Sequence, residues 1–317
     1  MPSLEKWYPG NENRREELFP CLKSLFIEHC PKLESLPFLP CLQHLTLSGC
    51  TETVITSLRS LSTLSSLVIS WSSEMLSFPG GLLRNLSALE TLEIRSCYGL
   101  HSIPDEIEYL TAVTSLKLIE CGDLVVLPKR LQLLSSLKSF TIQSCNILES
   151  FPAMGIQGMS SSIVVLDIVY CNNLISLSEG LRYLSSLETL IIGVCTQLEF
   201  SREDFQHLIS LRRLQLDSLT MLISIPDMQN LTALQYFVIN NCENLWIIPE
   251  ILGLTALQSL KIYRCKNLRM LPEGLQHLTY LHSLEIFKCH LHLHERVKEK
   301  GEDWPKIFHI QNLSIGP

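Results

Sequence analysis

The chain has 317 residues, 46% apolar and 18% charged, which is enough for a sizeable core and too apolar for a disordered chain. A net charge of −7, with 25 scattered Lys and Arg residues, excludes a phosphate-binding stripe or an anionic-membrane patch, so nucleic acid is not an expected partner. No apolar run approaches the roughly 18–20 residues of a membrane span, and the opening MPSLEKWYPG carries no apolar signal segment, so the chain is expected to be soluble and unsecreted.

The first residues, MPSLEKWYPGNENRREELFP, have an apolar step at Leu4 and Trp7 followed by a polar insertion. They read as the tail of a preceding repeat, so the chain is expected to begin mid-array. From Leu22 the pattern L-x-x-L-x-I-x-x-C recurs, starting at Leu22, Leu42, Leu64, Leu89, Val113, Leu137, Ile163, Leu187, Leu211, Leu234, Leu257 and Leu281. Its intervals of 20 to 26 residues fall in the leucine-rich-repeat range. In LETLEIRSC, Leu92 and Ile94 are two apart and share one face of a strand, with Glu93 and Arg95 on the other. Such a strand is unstable alone, but parallel stacking pairs its backbone and sets Leu92, Leu116 and Phe140 over one another.

The second half of each repeat, C-x-x-L-x-x-L-P-x-x-L-x-x-L as in Cys121 to Leu137, predicts 3₁₀ or short helical turns, with Pro where the chain leaves the sheet. The expected fold is α/β: a leucine-rich-repeat solenoid of about twelve repeats over residues 1–289, a curved right-handed horseshoe. It has a concave parallel β-sheet and a convex side of loops, 3₁₀ turns and short helices.

Ten repeats close their strand with Cys: Cys30, Cys50, Cys97, Cys121, Cys145, Cys171, Cys195, Cys242, Cys265 and Cys289. A column of thiols turned inward packs well and helps to satisfy backbone groups, whereas equally spaced ligands do not converge on a metal and parallel Cβ vectors disfavour disulfides. Cys21 and Cys41, each after Pro and outside the column, read as small buried residues. The longest insertion, Phe151 to Ile163, has two Gly and three consecutive Ser and is expected to be a mobile loop. TQLEFSREDFQHLISL, after Cys195, lacks the L-P step and predicts a distorted or more helical coil. Residues 290–317 are expected to cap the open end of the stack, with His290, His292 and His294 alternating along a short strand as solvent-facing side chains.

The repeats, the strings FPCL and CPKLESLP near the start, and the closing ERVKEKGEDWPKIFHI together resemble the C-terminal repeats of plant intracellular nucleotide-binding leucine-rich-repeat (NLR) disease-resistance proteins of the coiled-coil class. The resemblance covers essentially the whole chain, with Val297 standing where the closing segment often has Cys. It implies a role in innate immunity: recognising a pathogen effector or a guarded host protein, and restraining the nucleotide switch of an NB-ARC region, in the cytoplasm or nucleo-cytoplasm. The chain has no G-x-x-x-x-G-K-[ST] phosphate loop and no N-terminal helical signalling region, so it reads as a fragment or a truncated product whose switching belongs to a missing region.

No nucleophile motif, H-E-x-x-H or Gly-rich cradle points to catalysis, and no catalytic, cofactor or metal residue is assigned. Outward strand positions would form one concave face, and aromatic and Arg side chains are enriched at binding hot spots. The candidate protein-binding residues are Trp71, Arg95, Arg212, Arg213, Tyr236, Lys261, Tyr263, Arg264, Phe287 and Lys288, the last eight forming a locally basic cluster suited to an acidic protein surface. Two alternative readings exist. A cell-surface receptor ectodomain is suggested by the sequons at Asn85, Asn230 and Asn312, but these arise from the leucine step itself. The substrate-binding repeats of a ubiquitin-ligase adaptor would need a helical segment longer than residues 1–21 provide.

Overall fold

The structure, a computed structural model, describes residues 4–7, 19–72, 75–152 and 162–316. It divides into two compact units, Met1–Leu148 and Glu149–Pro317.

The first unit contains β1 (Ser24–Glu28), β2 (His44–Ser48), β3 (Ser66–Ser70), β4 (Thr91–Arg95), β5 (Ser115–Ile119) and β6 (Ser139–Gln143). Neighbours in sequence pair in parallel without slippage, so Leu67, Leu92, Leu116 and Phe140 stand opposite one another in turn. A second row, Ile69, Ile94, Leu118 and Ile142, stacks in the same way. All eight side chains are buried. A one-residue slip would turn every one of them to water, which is why the alternating pattern fixes the register. After β2 the chain returns through α1 (Glu52–Ser57) and a 3₁₀ turn at Leu58–Ser60, and after β3, β4 and β5 through 3₁₀ turns at Leu83–Asn85, Asp105–Tyr109 and Lys129–Leu133. Pro104 and Pro128 precede two of these turns in extended backbone, with φ of −69° and −64°, the angle the pyrrolidine ring imposes.

The second unit repeats the arrangement with β7 (Val165–Val169), β8 (Thr189–Gly193), β9 (Arg213–Asp217), β10 (Tyr236–Asn240), β11 (Ser259–Tyr263), β12 (Ser283–Phe287) and β13 (Asn312–Gly316), again parallel and in chain order. The return segments hold α2 (Ser178–Leu181) and a 3₁₀ turn at Leu275–His277. The expectation for the coil after Cys195 is met as distortion and not as added helix. Residues 202–207 form successive turns, Phe205 fills the core, and the Asp204 carboxylate accepts the Ser201 N–H at 2.8 Å.

One feature of every coil has no counterpart in the sequence pattern. The residue directly after the strand is left-handed in all twelve repeats, with φ from 50° at His29 to 63° at Gly49, and only Gly49 is a glycine. Each such non-glycine residue costs about 1–2 kcal/mol. The conformation turns the next residue inward and aims its own N–H along the stack. Ser96 donates to the Ile119 carbonyl at 2.8 Å, Glu120 to Gln143 at 2.7 Å and Val194 to Asp217 at 2.9 Å, so hydrogen bonding between coils continues past the sheet and offsets the strain. The inward residue is the column cysteine. Cys97 Sγ lies 3.4 Å from the Arg95 carbonyl and 3.9 Å from the Ile69 carbonyl of the preceding coil, and Cys121 and Cys195 repeat this geometry. Burial pushes the Cys97 thiol up to about 12 and that of Cys242 up to about 11.

Several expectations need correction. Cys21 and Cys41 are exposed, not buried: Pro20–Cys21 and Pro40–Cys41 are the central pairs of turns closed by Leu22 N–H to Phe19 and Leu42 N–H to Leu39, and central turn residues face solvent. The histidines do not alternate along a strand. They open α3 (Leu291–Arg296), where His290 Nδ1 accepts the His292 N–H at 3.0 Å and Leu293 with Val297 four residues on packs inward. Burial, reinforced by the Lys298 charge, holds His294 below the usual imidazole range. The insertion Phe151 to Ile163 lies mostly outside the described residues. Near the start of the chain the Glu5 carbonyl accepts the Glu34 N–H at 3.0 Å, as the His101 carbonyl accepts the Val125 N–H at 3.2 Å.

After α3 the chain runs through α4 (Trp304–Ile307) into β13. Between α3 and α4, directly before Trp304, Asp303 is fully buried. It receives Arg296 Nε at 2.9 Å and Nη2 at 3.0 Å, the Leu271 N–H at 3.0 Å and Lys306 Nζ at 3.0 Å. Burial opposes its ionisation, but these donors outweigh burial and hold its carboxyl below the usual carboxylate range.

Candidate binding face

The first, third and fifth strand residues lie on the face opposite the one that packs on the aliphatic core, so register-matched residues at these positions share one face of their unit's sheet. In the first unit this face carries Arg95, at the end of β4 and ion-paired with Glu93, which also meets Lys117 at 3.7 Å. Trp71 is not an outward strand residue. It is the left-handed residue after β3, half-exposed, with its ring edge-on to Tyr98 at 6.3 Å. Tyr170 occupies the same turn position after β7. Trp71 falls outside the strand because β3 stops at Ser70, before the turn that sends the next residue inward.

In the second unit, Arg213 and Tyr236 are paired first positions of β9 and β10, and Lys261 is the third position of β11. Arg212 precedes β9 and pairs with Glu188 at 3.5 Å. Tyr263 and Phe287 are paired fifth positions, with ring centroids 6.1 Å apart, and Arg264 and Lys288 are the left-handed residues that follow. These last four converge with Gln215, Asp217, Val238 and Asn240 on a groove of about 390 Å³. Arg212, Arg213, Tyr236 and Lys261 do not line it.

The sequence reading missed Glu285 and Asp217. Glu285, the third position of β12, pairs with Lys261 at 2.9 Å and accepts the Tyr263 hydroxyl. Burial and that hydrogen bond push Tyr263 up to about 12, and Tyr263 and Lys261 together hold Glu285 below its ordinary range. Asp217 accepts from Asn240 Nδ2 at 2.9 Å and from the Ser218 hydroxyl at 2.7 Å. The cluster is therefore less basic than its Arg and Lys residues imply. Selecting hot spots by aromatic and Arg type passed over Glu285, although it holds the same strand position as Lys261 and Glu93 and was legible on that ground.

Among the described residues, no group of three or more His, Cys, Asp or Glu side chains is placed to hold a metal ion, and no helix is long and apolar enough to cross a membrane. No family profile matches the chain, and no curated protein does. Among solved structures it is similar to the leucine-rich-repeat domain of the type III effector XopL, with a TM-score of 0.41, 22% identity, and 85% of this chain and 77% of that one covered. It is also similar to an internalin from Listeria monocytogenes, with a TM-score of 0.45, 17% identity and coverage of 83% and 86%. A third similar structure is TLR13 in its complex with ssRNA13, with a TM-score of 0.42, 19% identity and coverage of 92% and 54%. The recurring coil, its unslipped parallel register and its inward aliphatic rows make this chain a leucine-rich-repeat domain.

Proposed function

We propose that the chain is the protein-interaction region of a plant intracellular immune receptor of the nucleotide-binding leucine-rich-repeat class. It recognises a pathogen effector or a guarded host protein and restrains an NB-ARC region encoded elsewhere in the parent receptor. The observation that carries the interaction reading is the solvent face of the second unit, where aromatic and cationic side chains from β9 to β12 stand in register above a buried aliphatic row. The plant-receptor reading is supported by the strings near each end of the chain, above all GEDWPKIFHI, which builds the segment around Asp303. A cytoplasmic location fits twelve cysteines that are all free.

The ectodomain reading is disfavoured at two of its sequons. Asn85 Nδ2 donates to the Arg59 carbonyl at 3.2 Å and Asn230 Nδ2 to the Gln206 carbonyl at 3.0 Å, so the nitrogens a glycan would need already bridge coils.

The test is a binding screen of the chain against secreted proteins of plant pathogens, followed by the combined variant Arg213→Glu, Lys261→Glu and Arg264→Glu. A protein ligand whose affinity falls about tenfold or more in the variant is expected. An affinity unchanged in the variant overturns this face as the recognition surface. The parent transcript is expected to encode a phosphate loop upstream of Met1, and a complete upstream reading frame without one contradicts the receptor assignment.

A further inference from the structure

Resting on that reading, we propose that the groove along β9 to β12 takes an acidic segment of the partner protein. A carboxylate side chain sits on Arg264 and Lys288, and a neighbouring apolar side chain sits on Val238, Tyr263 and Phe287.

The two cations are preplaced. Arg264 and Lys288 occupy the same turn position one coil apart, about 4.8 Å in a parallel stack. Their left-handed backbones, with φ of 53° and 56°, are pinned by N–H bonds to the Phe287 carbonyl at 2.9 Å and the Gly316 carbonyl at 3.3 Å. Both side chains are exposed, and among the described residues neither has an ion-pair partner, in contrast to Lys261 and Arg212.

The anionic lining is already committed. Both Asp217 oxygens accept hydrogen bonds from within the fold, and Glu285 holds Lys261 and Tyr263. Against the single Asp217 carboxylate the groove sets two cations, a guanidinium beside an ammonium, so its excess charge is positive and calls for a carboxylate from outside.

The floor is apolar. Phe287 lies so close to Gly316 that a Cβ there would come within 2.8 Å of a ring carbon, so the absence of a side chain at Gly316 leaves room for the ring. A phosphodiester strand fits less well than a peptide, because its repeating charges would also meet the Asp217 carboxylate within the groove.

The test selects a phage-displayed random peptide library on the intact chain and measures synthetic versions of the enriched peptides. Enriched sequences are expected to place Asp or Glu beside an aliphatic or aromatic residue. Arg264→Gln with Lys288→Gln is expected to raise Kd about tenfold and to weaken its salt dependence, while Lys266→Gln, at an exposed cation outside the groove that pairs with Glu243, changes Kd about twofold at most. Enrichment of sequences without an acidic residue, or displacement of the peptide by a single-stranded oligonucleotide, overturns the proposal. Peptide binding that survives the Arg264 and Lys288 changes but is lost with Arg213→Glu and Tyr236→Ser removes the groove and leaves the broader interaction reading standing. Binding indifferent to all four positions removes both.

Discussion

Within the second unit, the repeated coils and the closing segment cover the same aliphatic core with different chemistry. A coil such as the one carrying β11 buries Leu260 and Ile262 against matching residues on both sides and closes with the thiol of Cys265. The closing segment gathers its side chains around a buried charge instead. It is anchored by one buried carboxylate, Asp303, which gathers Arg296, Lys306 and the Leu271 amide. The stability of the coils is therefore shared among many equivalent contacts, while that of the closing segment is concentrated in one charged centre.

The sharpest way to break this contrast is Asp303→Ala. Removing the shared acceptor leaves Arg296 and Lys306 only their exposed partners Glu302 and Glu273, leaves the Leu271 amide without its acceptor, and should cost about 3–5 kcal/mol. Hydrogen exchange should show protection lost in β13 and α3 and kept in β8. Leu260→Ala, in the middle of the aliphatic row, should cost about 2–5 kcal/mol and weaken the coils on both sides of it. Equal loss of protection throughout the unit after Asp303→Ala would contradict the division.

Acid and alkali should separate the two regions. The folded Asp303 carboxyl lies below its unfolded value near 3.8, so its contribution is complete above that pH and is lost as pH falls through the lower folded value. The Cys242 thiol is raised from 9.0 to about 11, so its contribution is complete below pH 9.0 and is lost as pH rises towards 11. The closing segment should accordingly loosen first in acid and the coil of Cys242 first in alkali, read by exchange at β13 and β10. The reverse order would show that these groups do not control the two regions.

The smallest effect concerns the turns. Val194 is a β-branched residue at a φ of 51°, where Asn is tolerated far better. Val194→Asn should stabilise the second unit by up to about 1 kcal/mol, seen as a raised denaturation midpoint, whereas a comparable loss would mean that side-chain contacts of Val194 outweigh its backbone strain.

The sequence was most legible where a position recurs. Leu92, Leu116 and Phe140 were placed over one another by interval and alternation, because a repeated pattern averages away local accident. The inward thiols were legible for the same reason. The left-handed turn was not, because its twelve occupants run from His29 through Val194 to Lys288 and the constraint lies in backbone geometry and not in side-chain type. Cys21 and Cys41 were misread because a residue type was taken as a sign of burial when the preceding Pro made it part of a turn. Asp303 was not singled out, since nothing in a lone GEDWP shows that Arg296 and Leu271 will meet there. In the binding face, the strand positions were legible but the pairing of Lys261 and Tyr263 with Glu285 was not, because pairing across coils depends on which side chains lean together.

The stacking on which the binding face depends is tested most directly by nuclear Overhauser contacts in a sample with labelled Leu methyls and Phe rings. Adjacent strands lie about 4.8 Å apart, so contacts are expected from Leu92 to Leu116 and from Leu116 to Phe140, with none of comparable strength from Leu92 to Phe140. A strong Leu92 to Phe140 contact, or the absence of both neighbouring ones, would contradict the account.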